Sequence, residues 1–312
     1  MKFDFNDINL KPRKSIVDSR SQCDTSLRLG KYKFQLPVVP ANMQAIIDED
    51  IAIKLSEGGY FYIMHRFDID VVEFIKTMKS YNYPTSISIG VNNDSYELIN
   101  QLVELDLVPD FITIDIAHGH SIKMEKMLQF LKEKLPQTFL IAGNISTPEG
   151  VEDLQNWGAD ALKCGIGPGS SCTTYPATGF GSRNCQAWTI YECAKIAKIP
   201  IIADGGMKVP GDITKSLVLG ATMVMVGGML AGQLDSPGKT VQIDDKPHKE
   251  FWGSASSHQS GKKNRIEGKK NLIPLKDRTI SQEMNYLKEC LQSSISYAGG
   301  KNLTVFEEVS WF

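Results

Sequence analysis

No stretch of this 312-residue chain stays apolar for the roughly 18 residues that a membrane-spanning helix needs. The N-terminus, MKFDFNDINL, carries acids where a secretory leader needs an apolar centre. Charge of one sign is lacking too. The formal net charge is -2, which gives no reason to expect nucleic acid or an anionic membrane as a partner. The six cysteines (Cys23, Cys164, Cys172, Cys185, Cys193 and Cys290) are scattered, with no C-x-x-C pair. Such usage suits reduced thiols in a cytoplasmic protein. The five histidines fall into no ligand spacing with those cysteines, so no zinc site is expected. No G-x-G-x-x-G fingerprint follows a strand in a Rossmann setting either.

What is present is a recurrent β-type run followed by a helical stretch. The runs are LPVVPAN, GYFYIM, TSISIGV, FITIDIA, TFLIAGN, ADALKC, IPIIAD and ATMVMVGG. Most are nearly continuous in apolar residues, as strands buried on both faces should be. Helical periodicity marks Asp50 to Ser56, Val71 to Lys79, Ser95 to Glu104, Ile122 to Lys134, Gly150 to Trp157 and the closing stretch Ser281 to Ser296. Eight strand–helix units imply an α/β (β/α)8 TIM barrel, with a doubly wound open sheet as the alternative. We expect one catalytic domain over residues 1–312, with an N-terminal extension to about residue 34 packed across a barrel end. From about Gln242 to Arg278 the chain turns rich in Lys, Ser, Gly and Glu, and it reads as a mobile flap after strand 8.

The strand ends carry the residues with chemistry. Ala41-Asn42 follows the first run, His65-Arg66 the second, Asp115 and His118 the fourth, and Gly143-Asn144 the fifth. Asp204-Gly205-Gly206 ends the seventh and Gly227-Gly228 the eighth, where barrels commonly build a phosphate site from backbone N–H groups. The sixth runs into KCGIGPGSSCTT, Lys163 to Thr174. Its alternate glycines admit close backbone approaches, Pro168 stiffens the loop, and one thiol, Cys172, stands at its end. A thiol attacks carbon as thiolate, so Cys172 is the candidate nucleophile. Cys185 and Cys193 lie outside this motif and read as structural.

GIGPGSSCTT resembles the catalytic loop of the IMP dehydrogenase/GMP reductase family. The likeness continues, in order, through FDFNDINLKP, PVVPANM, MHR, DIAHGHS, IAGN, ADGG, VMVGGMLAG, GSAS, IEGKK and SSISYAGG. It implies that Gly205, Gly206, Gly227, Gly228, Gly253, Ser254 and Ala255 hold the 5′-phosphate of a purine mononucleotide, and that Asp204 accepts from its ribose. It implies attack by Cys172 on C2 of the purine, giving a thioimidate. Asp115, Ile116, Ala117 and Asn144, with Arg66, Ile166 and Gly167, would face the nicotinamide cofactor, bound extended across the barrel mouth. Carbonyls of Gly167, Gly169 and Cys172 would line a potassium site.

The family has two branches. One oxidises IMP with NAD, uses an Arg-Tyr pair in a long flap, and usually carries a pair of small regulatory (CBS) domains between the second and third strands. Here Arg66 to Pro84 leaves room for one helix only, and Gly253 to Glu267 holds no Arg-Tyr pair. The other branch reduces GMP to IMP with NADPH and releases ammonia, and Thr174 and Glu267 match its proton-handling positions. Asn264-Arg265-Ile266 departs from the Arg-x-Ser of animal members and is similar to a bacterial subtype. The resemblance therefore implies GMP and NADPH as ligands and a homotetramer as the assembly. An IMP dehydrogenase lacking regulatory domains and a catalytically silent nucleotide-binding barrel are the alternatives.

Overall fold

The computed structural model describes residues 2–253 and 268–312. A hairpin comes first, β1 (Leu27–Leu29) and β2 (Tyr32–Phe34). Then follow β3 (Val38–Pro40), α1 (Glu49–Glu57), α2 (Val71–Ser80), β4 (Ser86–Ile89), α3 (Asn93–Glu104), β5 (Phe111–Asp115) and α4 (Ile122–Lys134). The alternation continues with β6 (Phe139–Ile145), α5 (Pro148–Asn156), β7 (Ala161–Cys164), α6 (Thr174–Thr178), α7 (Gln186–Ile196), β8 (Ile201–Asp204), α8 (Pro210–Val218) and β9 (Met223–Val226). The last elements are β10 (Thr240–Ile243), β11 (Lys246–Trp252), β12 (Lys270–Pro274) and α9 (Ile280–Tyr297). Helix starts are set by short polar side chains. Asp48, Asp70, Ser121, Thr147 and Thr279 each accept from a backbone N–H of the first turn, and Pro148 fills the first position of α5.

Seven strands form one parallel sheet in the order β3-β9-β8-β7-β6-β5-β4. The second expected strand, GYFYIM, is not part of this ladder. Its residues still alternate as a strand's would: Phe61 and Ile63 join the inner cluster, Tyr62 and Met64 the outer one. Met64 N–H donates to the Ser86 carbonyl at 3.1 Å. The reason for the missing ladder is local. The Tyr62 hydroxyl accepts from Ser86 N–H at 3.2 Å and donates to the Pro84 carbonyl at 2.8 Å, so a side chain takes backbone groups that a strand partner would use. The result is a curled α/β half-barrel of seven strands, with an irregular buried run beside β4 in place of the eighth.

The inner cluster holds Val39, Phe61, Ile63, Phe111, Ile141, Ala161, Ile202, Met223 and Met225. Leu29 and Phe34 of the hairpin enter it, with the Phe34 ring 4.9 Å from that of Phe61. Phe111 and Ala161 begin their strands, so the N-terminal extension closes the barrel at the strands' N-terminal end, as expected. The opposite end is left for chemistry. Around it, β10, β11 and β12 form a three-stranded antiparallel sheet. The described parts of the stretch expected as a flap, Gln242 to Arg278, thus carry strands, and residues 254–267 of it lie outside the described residues. Among the described residues no helix is long and apolar enough to cross a membrane.

Candidate active site

The loop after β7 is shaped by contact with β8. A Cβ on Gly165 (φ +141°) would collide with the Asp204 carbonyl, so only glycine lets the two strand ends lie this close. Pro168 and Gly169 then pass over Gly205, whose Cβ position lies 3.3 Å from the Pro168 ring. The loop closes on itself where Cys172 N–H donates to the Gly169 carbonyl at 3.1 Å. Cys172 Sγ sits 3.1 Å from Thr174 Oγ1, the first residue of α6. A thiol and a hydroxyl at that distance can exchange a proton.

The strand sheet beyond β9 docks on this loop at both ends of the undescribed segment. Cys172 forms an antiparallel bridge with Gly268. Lys269 N–H donates to the Ser171 carbonyl at 2.9 Å, and Asn271 Nδ2 donates to Ser171 Oγ at 3.0 Å. On the other side, a Cβ at Gly253 would fall 2.9 Å from the Ser171 carbonyl. Gly228 also faces the loop, its Cβ position 3.7 Å from Ser170 Oγ.

Beneath the loop lies a buried charge cluster. Lys163 occupies an inward position of β7 and is 2% exposed. Its Nζ stands 2.7 Å from Asp115 Oδ1 and 3.2 Å from Asp204 Oδ2. Asn42 Nδ2 donates to Asp115 Oδ2 at 2.9 Å. Asn144 Nδ2 donates to Asp204 Oδ2 at 2.7 Å and to the Gly165 carbonyl at 2.7 Å. Burial alone would lower the Lys163 pKa, but the charges of Asp115 and Asp204 outweigh it and hold it above the ordinary lysine value. Burial likewise pushes Asp115 up, and the Lys163 charge, its hydrogen bond, Asn42 and the Arg66 charge pull it below the ordinary value. Lys163 and Asp115 are therefore both ionised at neutral pH.

His65 is buried too, and its Nδ1 accepts from Phe67 N–H at 3.2 Å. Burial pulls its pKa down to about 4, with Asp68 opposing. The unfolded chain takes up the proton near pH 6.5 and the folded one only near 4, so stability is full above about 6.5 and falls as pH drops toward 4. We expect a loss of roughly 3 kcal/mol across that window, in urea unfolding, that is absent in His65→Gln. A variant with the same pH slope as the intact protein would show that His65 does not titrate this way.

Of the residues singled out above, Cys172, Thr174, Asp204, Gly205, Gly206, Gly228 and Gly253 converge on this loop, and Gly227 adjoins Gly228 at the end of β9. Asp115 joins through Lys163, Asn144 through its bonds to Asp204 and the Gly165 carbonyl, and Ile116 is tied to β6 by its N–H to the Gly143 carbonyl at 3.0 Å. Ala117 is exposed at the rim, Ile166 accepts from Ser182 N–H at 2.7 Å, and Arg66 reaches the side of Gly90. Ser254, Ala255 and Glu267 lie outside the described residues. Lys163 and Gln186 had received no role. Gln186 Nε2 donates to the Cys164 carbonyl at 3.0 Å and the Asp204 carbonyl at 3.3 Å. For Lys163 a signal existed: it is a lysine inside the otherwise apolar run Ala161–Cys164.

Residues 2–312 match the family model described as IMP dehydrogenase / GMP reductase domain. A GMP reductase of Clostridium acetobutylicum is 53% identical over 314 residues, covering 99% of this chain and 94% of the relative. The GMP reductase of Bacillus subtilis is 52% identical over 310 residues, and that of Albidiferax ferrireducens 51% over 309, each covering 99% of this chain and 95% of the relative. With a family model and relatives matched along nearly its whole length, and a cysteine loop seated at the mouth of a parallel barrel, the chain belongs to the IMP dehydrogenase/GMP reductase family.

Proposed function

We propose that this protein reduces GMP to IMP with NADPH and releases ammonia. The observation that carries the reading is the Cys172 thiol, 3.1 Å from the Thr174 hydroxyl, on a loop bridged to Gly268 at the C-terminal end of the strands. The backbone at Gly205, Gly206, Gly227, Gly228 and Gly253, with Ser254 and Ala255, takes the 5′-phosphate. Asp204 accepts from the ribose hydroxyls. Both of its side-chain bonds fall on Oδ2, which leaves Oδ1 as an acceptor. The base then lies over the loop with C2 toward Cys172.

Attack forms the S–C2 bond and the amino nitrogen leaves as ammonia, giving a thioimidate. Glu267 supplies the proton that makes the nitrogen a leaving group, and Thr174 relays protons beside the thiol. NADPH, when bound, supplies the hydride that C2 accepts as the C–S bond breaks. The residues fit that cofactor: Asn144 Oδ1 is buried without a hydrogen-bond partner, an acceptor suited to a carboxamide N–H. Asp115, Ile116 and Ala117 flank it, Arg66 suits a phosphate, and Ile166 and Gly167 face it from the loop. The backbone carbonyls of Gly167, Gly169 and Cys172 on the same loop are hard oxygen donors of the kind potassium would take.

Two outcomes separate this reading from its alternatives. Absorbance of the reduced nicotinamide should fall only when GMP is present, with one IMP and one ammonia formed for each NADPH consumed. Reduction of NAD that depends on IMP, without GMP activity, would make the protein a dehydrogenase, and inertness in both assays would make it a silent binder. We further propose a single catalytic domain working as a cytoplasmic homotetramer. Light scattering at assay concentration should return four times the chain mass of 34.6 kDa, and the mass of one chain would refute it.

A further inference from the structure

We propose that Lys163 is a positioning residue for substrate binding, its buried ammonium bridging Asp115 and Asp204 so that Asp204 is held in the one orientation that presents an oxygen to the ribose. This deepens the reading above, in which Asp204 accepts from the ribose hydroxyls, and it depends on that reading.

Lys163 is an expensive residue to place where it is. It is 2% exposed, between strand neighbours Ala161 and Cys164 that are wholly buried. A buried ammonium is tolerated only when paired and hydrogen-bonded. The fold makes room for it: Gly143, on the adjacent strand, has no side chain, and a Cβ there would fall 2.5 Å from the Lys163 Cβ. Simple neutralisation of one acid would need one contact. Lys163 instead spans two strands, with Asp115 at 2.7 Å on the β5 side and Asp204 at 3.2 Å on β8. Asn42 reaches the same Asp115 and Asn144 the same Asp204, so each carboxylate has two donors. On Asp204 both donors meet Oδ2. Remove Lys163 and Asn144 alone remains on that carboxylate, which can then rotate about its Cβ–Cγ bond. The other oxygen loses its fixed place. Because the ammonium stays charged throughout the neutral range, the orientation does not depend on pH there.

The measurement is the dissociation constant of GMP against that of 2′,3′-dideoxy-GMP, by calorimetry, without NADPH. Hydrogen bonds to a carboxylate should make the intact protein prefer GMP by roughly 10- to 100-fold. In Lys163→Met that preference should shrink to within about threefold, because the loss acts through the ribose hydroxyls, and Lys163→Arg, which keeps charge and two donors, should restore most of it. A Lys163→Met protein that binds both ligands more weakly by one common factor would overturn the proposal and leave the ribose reading standing. An intact protein with no preference would overturn the ribose reading and the proposal together. If Lys163→Met does not fold, the comparison moves to Asp115→Asn against Asp115→Asn/Lys163→Met, which removes one charge of each sign. The single variant should keep the preference and the double should lose it, and equal preference in both would again refute the proposal.

Discussion

Replacing Cys172 by alanine should abolish turnover while leaving GMP binding close to that of the intact protein. The two properties separate because they rest on different atoms. In the proposed reading phosphate and ribose are held by the glycine backbones and Asp204, none of which uses the thiol. The chemical step needs a nucleophile at C2, and none of the described residues near the loop is a substitute. The Thr174 hydroxyl lies close, but a hydroxyl is far less ionised than a thiol at neutral pH. Cys164, eight residues back, is fully buried. A hydrogen bond with the Cys193 thiol, together with burial, raises its thiol well above the usual range. Cys185 and Cys193 replaced by alanine should therefore remain active if the fold survives. The checks are kcat by absorbance and GMP affinity by calorimetry on each variant. Turnover of Cys172→Ala within about tenfold of the intact enzyme, a difference of only about 1.4 kcal/mol in barrier, would remove the covalent step from the mechanism.

Glu267→Gln should slow ammonia release by roughly 10²–10⁴ while sparing the hydride step. Ammonia leaves poorly unless its nitrogen is protonated as the C2–N bond breaks. Thr174 can hand a proton on but cannot hold one ready at neutral pH. A carboxyl can, if burial raises it from its ordinary value of about 4.3. The competing idea is that Glu267 only anchors its own segment of chain through Lys269 or Lys270. Lys270 is already engaged, its Nζ 2.6 Å from Glu250, which weakens that idea. Lys269 is placed by its backbone, whose N–H donates to Ser171. Single-turnover kinetics with deuterated NADPH distinguish the two roles. If deamination limits the variant, its isotope effect falls toward one. If an unclosed site weakens every step together, the variant slows and keeps a large isotope effect, and the acid role fails.

Much of this architecture is legible from residues alone, and the exceptions have physical causes. Apolar runs bounded by Gly, Asn and Asp located seven strands, and helical periodicity placed α4 at Ile122–Lys134 with both ends correct. GYFYIM misled because alternate burial is all that a run can reveal. That the Tyr62 hydroxyl would bond the β4 edge depends on a neighbour 24 residues away. The strands β10 and β12 were missed for a different reason. Their side chains alternate between exposed and half-buried, so no hydrophobic run marks them, and they are set by pairing with β11, which a run cannot reveal. The loop and its glycines could be read because close approach leaves a compositional trace. Lys163 could not be given a role, since which carboxylates meet an inward lysine is decided by the register of β5, β7 and β8.

The central claim is that Cys172 becomes covalently joined to the purine during turnover, and rapid acid quenching tests it most directly. Enzyme mixed with GMP and a slowly reacting cofactor load would be stopped within one turnover, digested and examined by mass spectrometry. The account predicts that the peptide bearing Cys172 gains the mass of GMP less ammonia, that the adduct appears before IMP and decays as IMP forms, and that Cys172→Ala shows none. Turnover of GMP to IMP with no adduct on that peptide at any quench time would contradict it.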